Sequence, residues 1–152
     1  MSKQKFYQSL VKQTESLING ESNVIANMAN ISALLFTSLE DINWAGFYLM
    51  DSPDELVLGP FQGNPACIRI PVGKGVCGTA AKTQETQLVE DVHAFAGHIA
   101  CDAASNSEIV VPIFKDGKVF AVLDIDSPSV GRFDIEDRTG LEALVKCFEA
   151  NL

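Results

Sequence analysis

The chain predicts an α+β fold, an antiparallel sheet of about six strands with helices at both ends of the sequence. Three observations predict it. Apolar residues recur at helical spacing at the start and finish of the chain, period-two and β-branched runs fill the middle, and those runs are joined by short turns, which suit antiparallel pairing. Phe6, Leu10, Val11, Leu17 and Ile18 fall near one face of a first helix that Asn19-Gly20 ends. Ser22 can cap a second helix, whose apolar positions are Val24, Ile25, Met28, Ile31, Ser32 and Leu35. Trp44 to Met50 reads as a strand, Asp51 to Asp54 as a turn, and Glu55 to Leu58 as the returning strand. Gly59 to Pro65 is expected as a loop and Cys67 to Ile70 as a short strand. Gly73-Lys74-Gly75 then turns into a short helix, Val76 to Lys82, followed by a strand from Gln87 to Val89. Between Glu90 and Ser107 the periodicity fades, the mark of a functional loop or lid. Asp116-Gly117 between Glu108–Lys115 and Lys118–Asp126 is a strong hairpin signal. A last helix begins near Asp134, with Asp137 in an imperfect capping-box position, and buries Leu141, Leu144, Val145 and Phe148. The terminal helices are expected on one face of the sheet, with the other face free to form a pocket.

Composition narrows the function. The 152 residues, 47% hydrophobic and 20% charged, suffice for one domain, residues 1–152, with its own core; disorder and fibres are excluded. Eleven basic against twenty acidic side chains give a formal charge of −9, which repels phosphate backbones and anionic lipid, so no nucleic-acid or membrane role is indicated. The start MSKQKFYQSL lacks the apolar run of a signal peptide, and no segment approaches the roughly 20 apolar residues of a membrane span. A cytoplasmic protein is expected, with a small molecule or another protein as partner.

Cys67, Cys77 and Cys101 lie in the middle third of the chain at spacings that fit neither zinc nor a thioredoxin-like motif. In a reducing compartment this points to reactive thiols rather than structural staples. Cys147, at the margin of the last helix's apolar stripe, reads as a small buried hydrophobe. His93 and His98 precede Cys101, but without a Cys-x-x-Cys pair and with His-x4-His in a loop they are not read as metal ligands; they shape the loop or influence Cys101. Gly73 to Gly78 lacks the spacing of a phosphate-binding loop and is read as a strand-to-helix turn. Asp124 and Asp126, two apart on a strand, share a face opposite Leu123 and Ile125. A solvated outer face is the commoner fate of such a pair. If covered, they repel and lose hydration, and at least one acquires a raised pKa. Glu108 is either a third such acid or a solvated strand end. An unbroken ladder from the Asp116-Gly117 turn sets it opposite Ile125, and an extra residue near Pro112 would set it opposite Asp124.

The stretches GPFQGNPACIRIP, GKGVCGTAA, DVHAFAGHIACD, SEIVVPI and LDIDSP resemble the free methionine-(R)-sulfoxide reductases, small enzymes built on a lone GAF domain. The resemblance implies a GAF-like sheet with its terminal helices on one face and the active site on the other. It implies Cys101 as the catalytic cysteine, Cys67 as its main resolving partner and Cys77 as an alternative or secondary resolver. By the same resemblance Glu108, Asp124 and Asp126 are pocket acids, and Trp44 and Tyr48 an aromatic wall. Ala96 stands where the family's loop has proline. The expected course is transfer of oxygen from free methionine sulfoxide to Cys101 as a sulfenic acid, condensation with Cys67, and reduction of the disulfide by thioredoxin, with no metal or organic cofactor. Neighbouring carboxylates raise a thiol's pKa, so the acids are expected to act on the substrate instead. A homodimer is also implied. The rival reading is a non-catalytic GAF module that senses a small ligand or redox state.

Overall fold

In a computed structural model describing residues 1–99, 101 and 103–152, the opening helical pattern forms α1 (Lys3–Ile18) and α2 (Val24–Ser38). Ser2 caps the first helix by accepting from the Lys5 amide. Asn23, not Ser22, caps the second by accepting from Ala26. The buried stripe of α1 is Tyr7, Leu10, Thr14 and Ile18, slightly rotated from the expected one, so Leu17 is exposed. β1 (Trp44–Ser52), β2 (Glu55–Gly63), β3 (Arg69–Pro71), α3 (Gly75–Thr83), β4 (Gln87–Val89), β5 (Ser107–Lys115), β6 (Lys118–Ser127) and α4 (Ile135–Glu149) follow. The expected loop at Gly59 to Pro65 is largely strand. Gly46 pairs with Phe61 and Tyr48 with Leu58, so Gly59 and Pro60 form a bulge that accommodates a proline inside β2.

All pairings are antiparallel, in the order β3-β2-β1-β6-β5-β4. Side-chain alternation divides the sheet cleanly. Phe47, Ile109, Val111, Leu123 and Ile125 face one way, into a core completed by α2 and α4; α1 packs on α4. Trp44, Tyr48, Val110 and Val122 face the other way, where α3 covers β5 and β6. The final helix opens on a complete capping box, in which Asp134 accepts from Glu136 and Asp137 and the Asp137 carboxylate accepts from the Asp134 amide. Asp137 is buried. It also accepts from the Tyr7 hydroxyl at 2.6 Å and pairs with Lys3 at 2.9 Å and Arg132 at 3.5 Å, tying the start of α1 to that of α4. Among the described residues no helix is long and apolar enough to cross a membrane.

Candidate active site

The register of the central strands assembles an acidic floor. Asp126 lies between Trp44 and Glu108, and Asp124 lies between Gly46 and Val110. Glu108 thus shares the face of the two aspartates, but its partner is Asp126, where a bulge near Pro112 implied Asp124. The extra residue is Phe120 in β6: Phe114 pairs with Val119 and Ile113 with Ala121. Pro112 needs no bulge because β4 ends its pairing at Val110, before reaching it. Gly46 contributes by lacking a side chain. Its Cβ would overlap Phe61 and the Pro60 carbonyl, so its absence lets β2 pack closely on β1 behind the Trp44–Phe61 stack.

Glu108 and Asp124 are buried and Asp126 half-buried. Burial, then the fields of Asp124 and Asp126, push the Glu108 carboxyl well above the ordinary carboxylate range. Burial also raises Asp124, opposed by hydrogen bonds from Glu108, Asp126 and Cys77. One Asp124 oxygen, Oδ1, is buried with no hydrogen-bond partner among the described residues. Cys77, on α3 over the same face, is buried beside the acids, with Sγ 4.0 Å from Glu108 Oε2. Burial and the surrounding acids push its thiol well up, so it stays protonated and is a poor nucleophile.

Two loops cover the floor. The segment before β3 carries Cys67. Trp44 Nε1 donates to Asn64 O at 3.1 Å and the Tyr48 hydroxyl donates to Cys67 O at 2.8 Å, so the aromatic wall also anchors this backbone. Trp44 stacks on Phe61 at 5.0 Å and on Tyr48 at 6.0 Å. The second loop lies between β4 and β5 and includes a short 3₁₀ turn, Val92–Ala94. Its base is fastened by Asn106, which meets His93 Nε2 at 2.9 Å and donates to Pro128 O at 2.7 Å. Its far end is tied to α3 by the Gly75 amide, which donates to Gly97 O at 3.1 Å. Gly73 and Gly75, at φ +90° and +63°, are the positive-φ residues of the turn read from the Gly73–Gly78 pattern. From this loop Cys101 forms a disulfide with Cys67, with Cα atoms 5.4 Å apart; Cys77 is a free thiol.

A cavity of about 40 Å³ is lined by Trp44, Tyr48, Cys77, Cys101 and all three acids; Cys67, the other half of the disulfide, does not line it. Lys74, His98 and Ser105 line it as well, and sequence reasoning missed Lys74 and Ser105. Lys74 lies in a turn whose glycines drew attention away from it. Ser105 is brought in by an Asn43 Nδ2 bond of 3.2 Å, 62 positions away in sequence, which no local pattern reveals. The His98 imidazole is held below its usual range by burial and by His93. Donor atoms of Cys77, Glu108 and Asp124 lie within 4.8 Å of one another, close enough to share a cation; the histidines are outside that group.

A six-stranded antiparallel sheet with helices on one face and a loop-covered pocket on the other defines a GAF domain, and the GAF domain family model matches residues 26–146. Within that class, the chain is 56% identical to free methionine-R-sulfoxide reductase of Escherichia coli (strain K12), over 98% of this chain and 90% of the relative. The solved fRMsr of Staphylococcus aureus in its reduced form is 60% identical with a TM-score of 0.93, covering 96% of this chain and 94% of that one. The free methionine-R-sulfoxide reductase of Neisseria meningitidis, solved in complex with its substrate, is 45% identical with a TM-score of 0.95, covering 99% and 90%. The chain belongs to the free methionine-R-sulfoxide reductases, a family of oxidoreductases.

Proposed function

We propose that the chain reduces free L-methionine (R)-S-oxide to L-methionine, with Cys101 as the thiol that takes the oxygen and Cys67 as the thiol that resolves it. The observation that carries this reading is a cavity lined by Cys101 together with Glu108, Asp124 and Asp126, with Cys101 bonded to Cys67.

The steps follow from the chemistry of the groups. Cys101 attacks the sulfoxide sulfur, the oxygen passes to the cysteine as a sulfenic acid, and methionine leaves with the sulfur's electron pair restored. A sulfoxide is a weak electrophile until its oxygen is protonated. Glu108, whose carboxyl burial and two neighbouring acids keep protonated, is placed to donate that proton. An ionised partner among Asp124 and Asp126 stabilises the positive charge that develops at sulfur and receives the substrate ammonium. Lys74, at the exposed rim, suits the substrate carboxylate. Trp44 and Tyr48 suit the S-methyl group, a sulfur–aromatic contact of about 1 kcal/mol. A pocket enclosing both charged ends of an amino acid excludes a peptide, in which those ends are amides. Discrimination of roughly 10⁴ or more follows when buried polar partners would be left unpaired.

The Cys67 thiol then condenses with the Cys101 sulfenic acid, releasing water, and a dithiol protein such as thioredoxin reopens the disulfide by exchange. Cys77 is the poorer resolver because burial, and then the acids that surround it, hold its thiol protonated. The same reading carries a cytoplasmic location and a homodimer. The test is thioredoxin-coupled reductant consumption with free R sulfoxide, free S sulfoxide and a peptide-bound substrate side by side. Continuous turnover of the free R form alone is expected. A single stoichiometric oxidation without turnover would identify a sensor instead.

A further inference from the structure

The backbone that carries Cys67 is held from the sheet at three successive points. Trp44 Nε1 donates to Asn64 O at 3.1 Å, the Tyr48 hydroxyl to Cys67 O at 2.8 Å, and the Leu58 amide to Ile68 O at 2.9 Å. The Tyr48 bond reaches the cysteine itself. Tyr48 is 2% exposed on central strand β1, between β2 and β6, so the donor is as fixed as the sheet. Burial and the field of Asp124 raise its phenol, which keeps the hydroxyl a donor at any working pH. Cys101, by contrast, sits on the long β4–β5 loop, outside any helix or strand. One half of the disulfide is therefore anchored to the sheet and the other half is delivered by a loop.

We propose that Tyr48 is a positioning residue for the resolving step: its hydroxyl fixes the Cys67 backbone so that the Cys67 thiol stands in line with the sulfenic acid formed on Cys101. This deepens the reading of Cys101 and Cys67 given above and rests on it. In the step concerned the Cys67 sulfur attacks the sulfenic sulfur, the S–S bond forms as the S–O bond breaks, and the oxygen leaves as water with the two available protons. Such an intramolecular closure is governed by how often the two sulfurs are aligned, and a tethered carbonyl raises that fraction. Tyr48→Phe keeps the ring that lines the pocket and removes only the oxygen that makes the tether.

The decisive measurement needs no methionine sulfoxide. Reduced protein is treated with hydrogen peroxide, which oxidises the Cys101 thiolate to a sulfenic acid and is itself reduced to water. The sulfenic acid is trapped with dimedone at successive times while disulfide formation is followed by mass spectrometry. Tyr48→Phe is expected to lengthen the sulfenic lifetime roughly five- to tenfold, the factor corresponding to one net hydrogen bond. The same lengthening is expected after a single exposure to free R sulfoxide. Closure at the wild-type rate overturns the proposal, including when the thermal unfolding midpoint has fallen, because that pattern marks a merely structural bond. Lengthening with peroxide but no methionine released from the sulfoxide supports the positioning role and removes the reductase reading. Should Tyr48→Phe fail to fold, 4-fluorophenylalanine incorporated at position 48 keeps the ring and its length while removing the donor, with the same lengthening of roughly five- to tenfold expected; closure at the wild-type rate there overturns the proposal.

Discussion

At the scale of single residues, the acids and thiols divide the work by environment. Glu108, Asp124 and Asp126 share a face, yet burial and mutual repulsion load the proton onto Glu108. Asp126→Asn is expected to lower the rate of methionine formation roughly 10²-fold while leaving reduction of the Cys67–Cys101 disulfide by dithiol unchanged, which stopped-flow measurement of the two half-reactions checks. Because the proposed donor must be protonated, kcat/KM should fall on the alkaline side as pH rises through the elevated Glu108 value, and a pH–rate profile shows that limb. Cys67→Ser should still release about one methionine per enzyme before stalling, since resolution comes after oxygen transfer; a quenched burst assay counts it. The shared face of Asp124 and Asp126 was legible from their spacing on a strand, but spacing alone favoured a solvated face, and the roles of the acids and thiols came from the resemblance. Ser105 was not legible, because its place depends on a bond from Asn43 that only the folded chain makes.

At the scale of elements, register decides which side chains meet. The hairpin turn was evident from Asp116-Gly117, whose φ angles of +53° and +77° fit its two-residue form. The extra residue was not, since Phe120 in a run of apolar residues carries no mark of a bulge. It shifts Glu108 to the pocket side all the same. The Gly59-Pro60 bulge misled in the opposite way, because glycine and proline signal a loop and here interrupt a strand. Gly46 was also silent as sequence. Gly46→Ala is expected to destabilise the protein by about 1 to 3 kcal/mol, the cost of forcing a methyl group against Phe61 and the Pro60 carbonyl. Denaturant unfolding measures it.

At the scale of the whole molecule, stability and function pull on the same acids. The folded-state pKa of Glu108 lies above its unfolded value, so the native chain holds more protons than the unfolded chain between those two values. Stability is therefore lost as pH rises through that window. Glu108→Gln should raise the unfolding midpoint at neutral pH and leave it nearly unchanged at mildly acidic pH, a difference that calorimetry at the two pH values detects. The opposite end of the molecule has a network of another kind. Asp137 joins α1, α4 and Arg132 away from the pocket, and Asp137→Ala, which leaves the buried Tyr7 hydroxyl without its acceptor and opens the capping box while Lys3 keeps Asp134, should cost about 1 to 3 kcal/mol, read by denaturant unfolding. The layer arrangement was readable because alternation and helical periodicity are both strong here, whereas Asp137 looked only like an imperfect cap.

The small cavity beside Cys101 has a kinetic corollary. Among the described residues the cavity holds space for a few water molecules and not for an amino acid, so the oxidised form is expected to reject a second sulfoxide. Excess substrate then cannot trap the spent form in a dead-end complex. Velocity should plateau without declining at high sulfoxide, and the plateau should track the supply of dithiol.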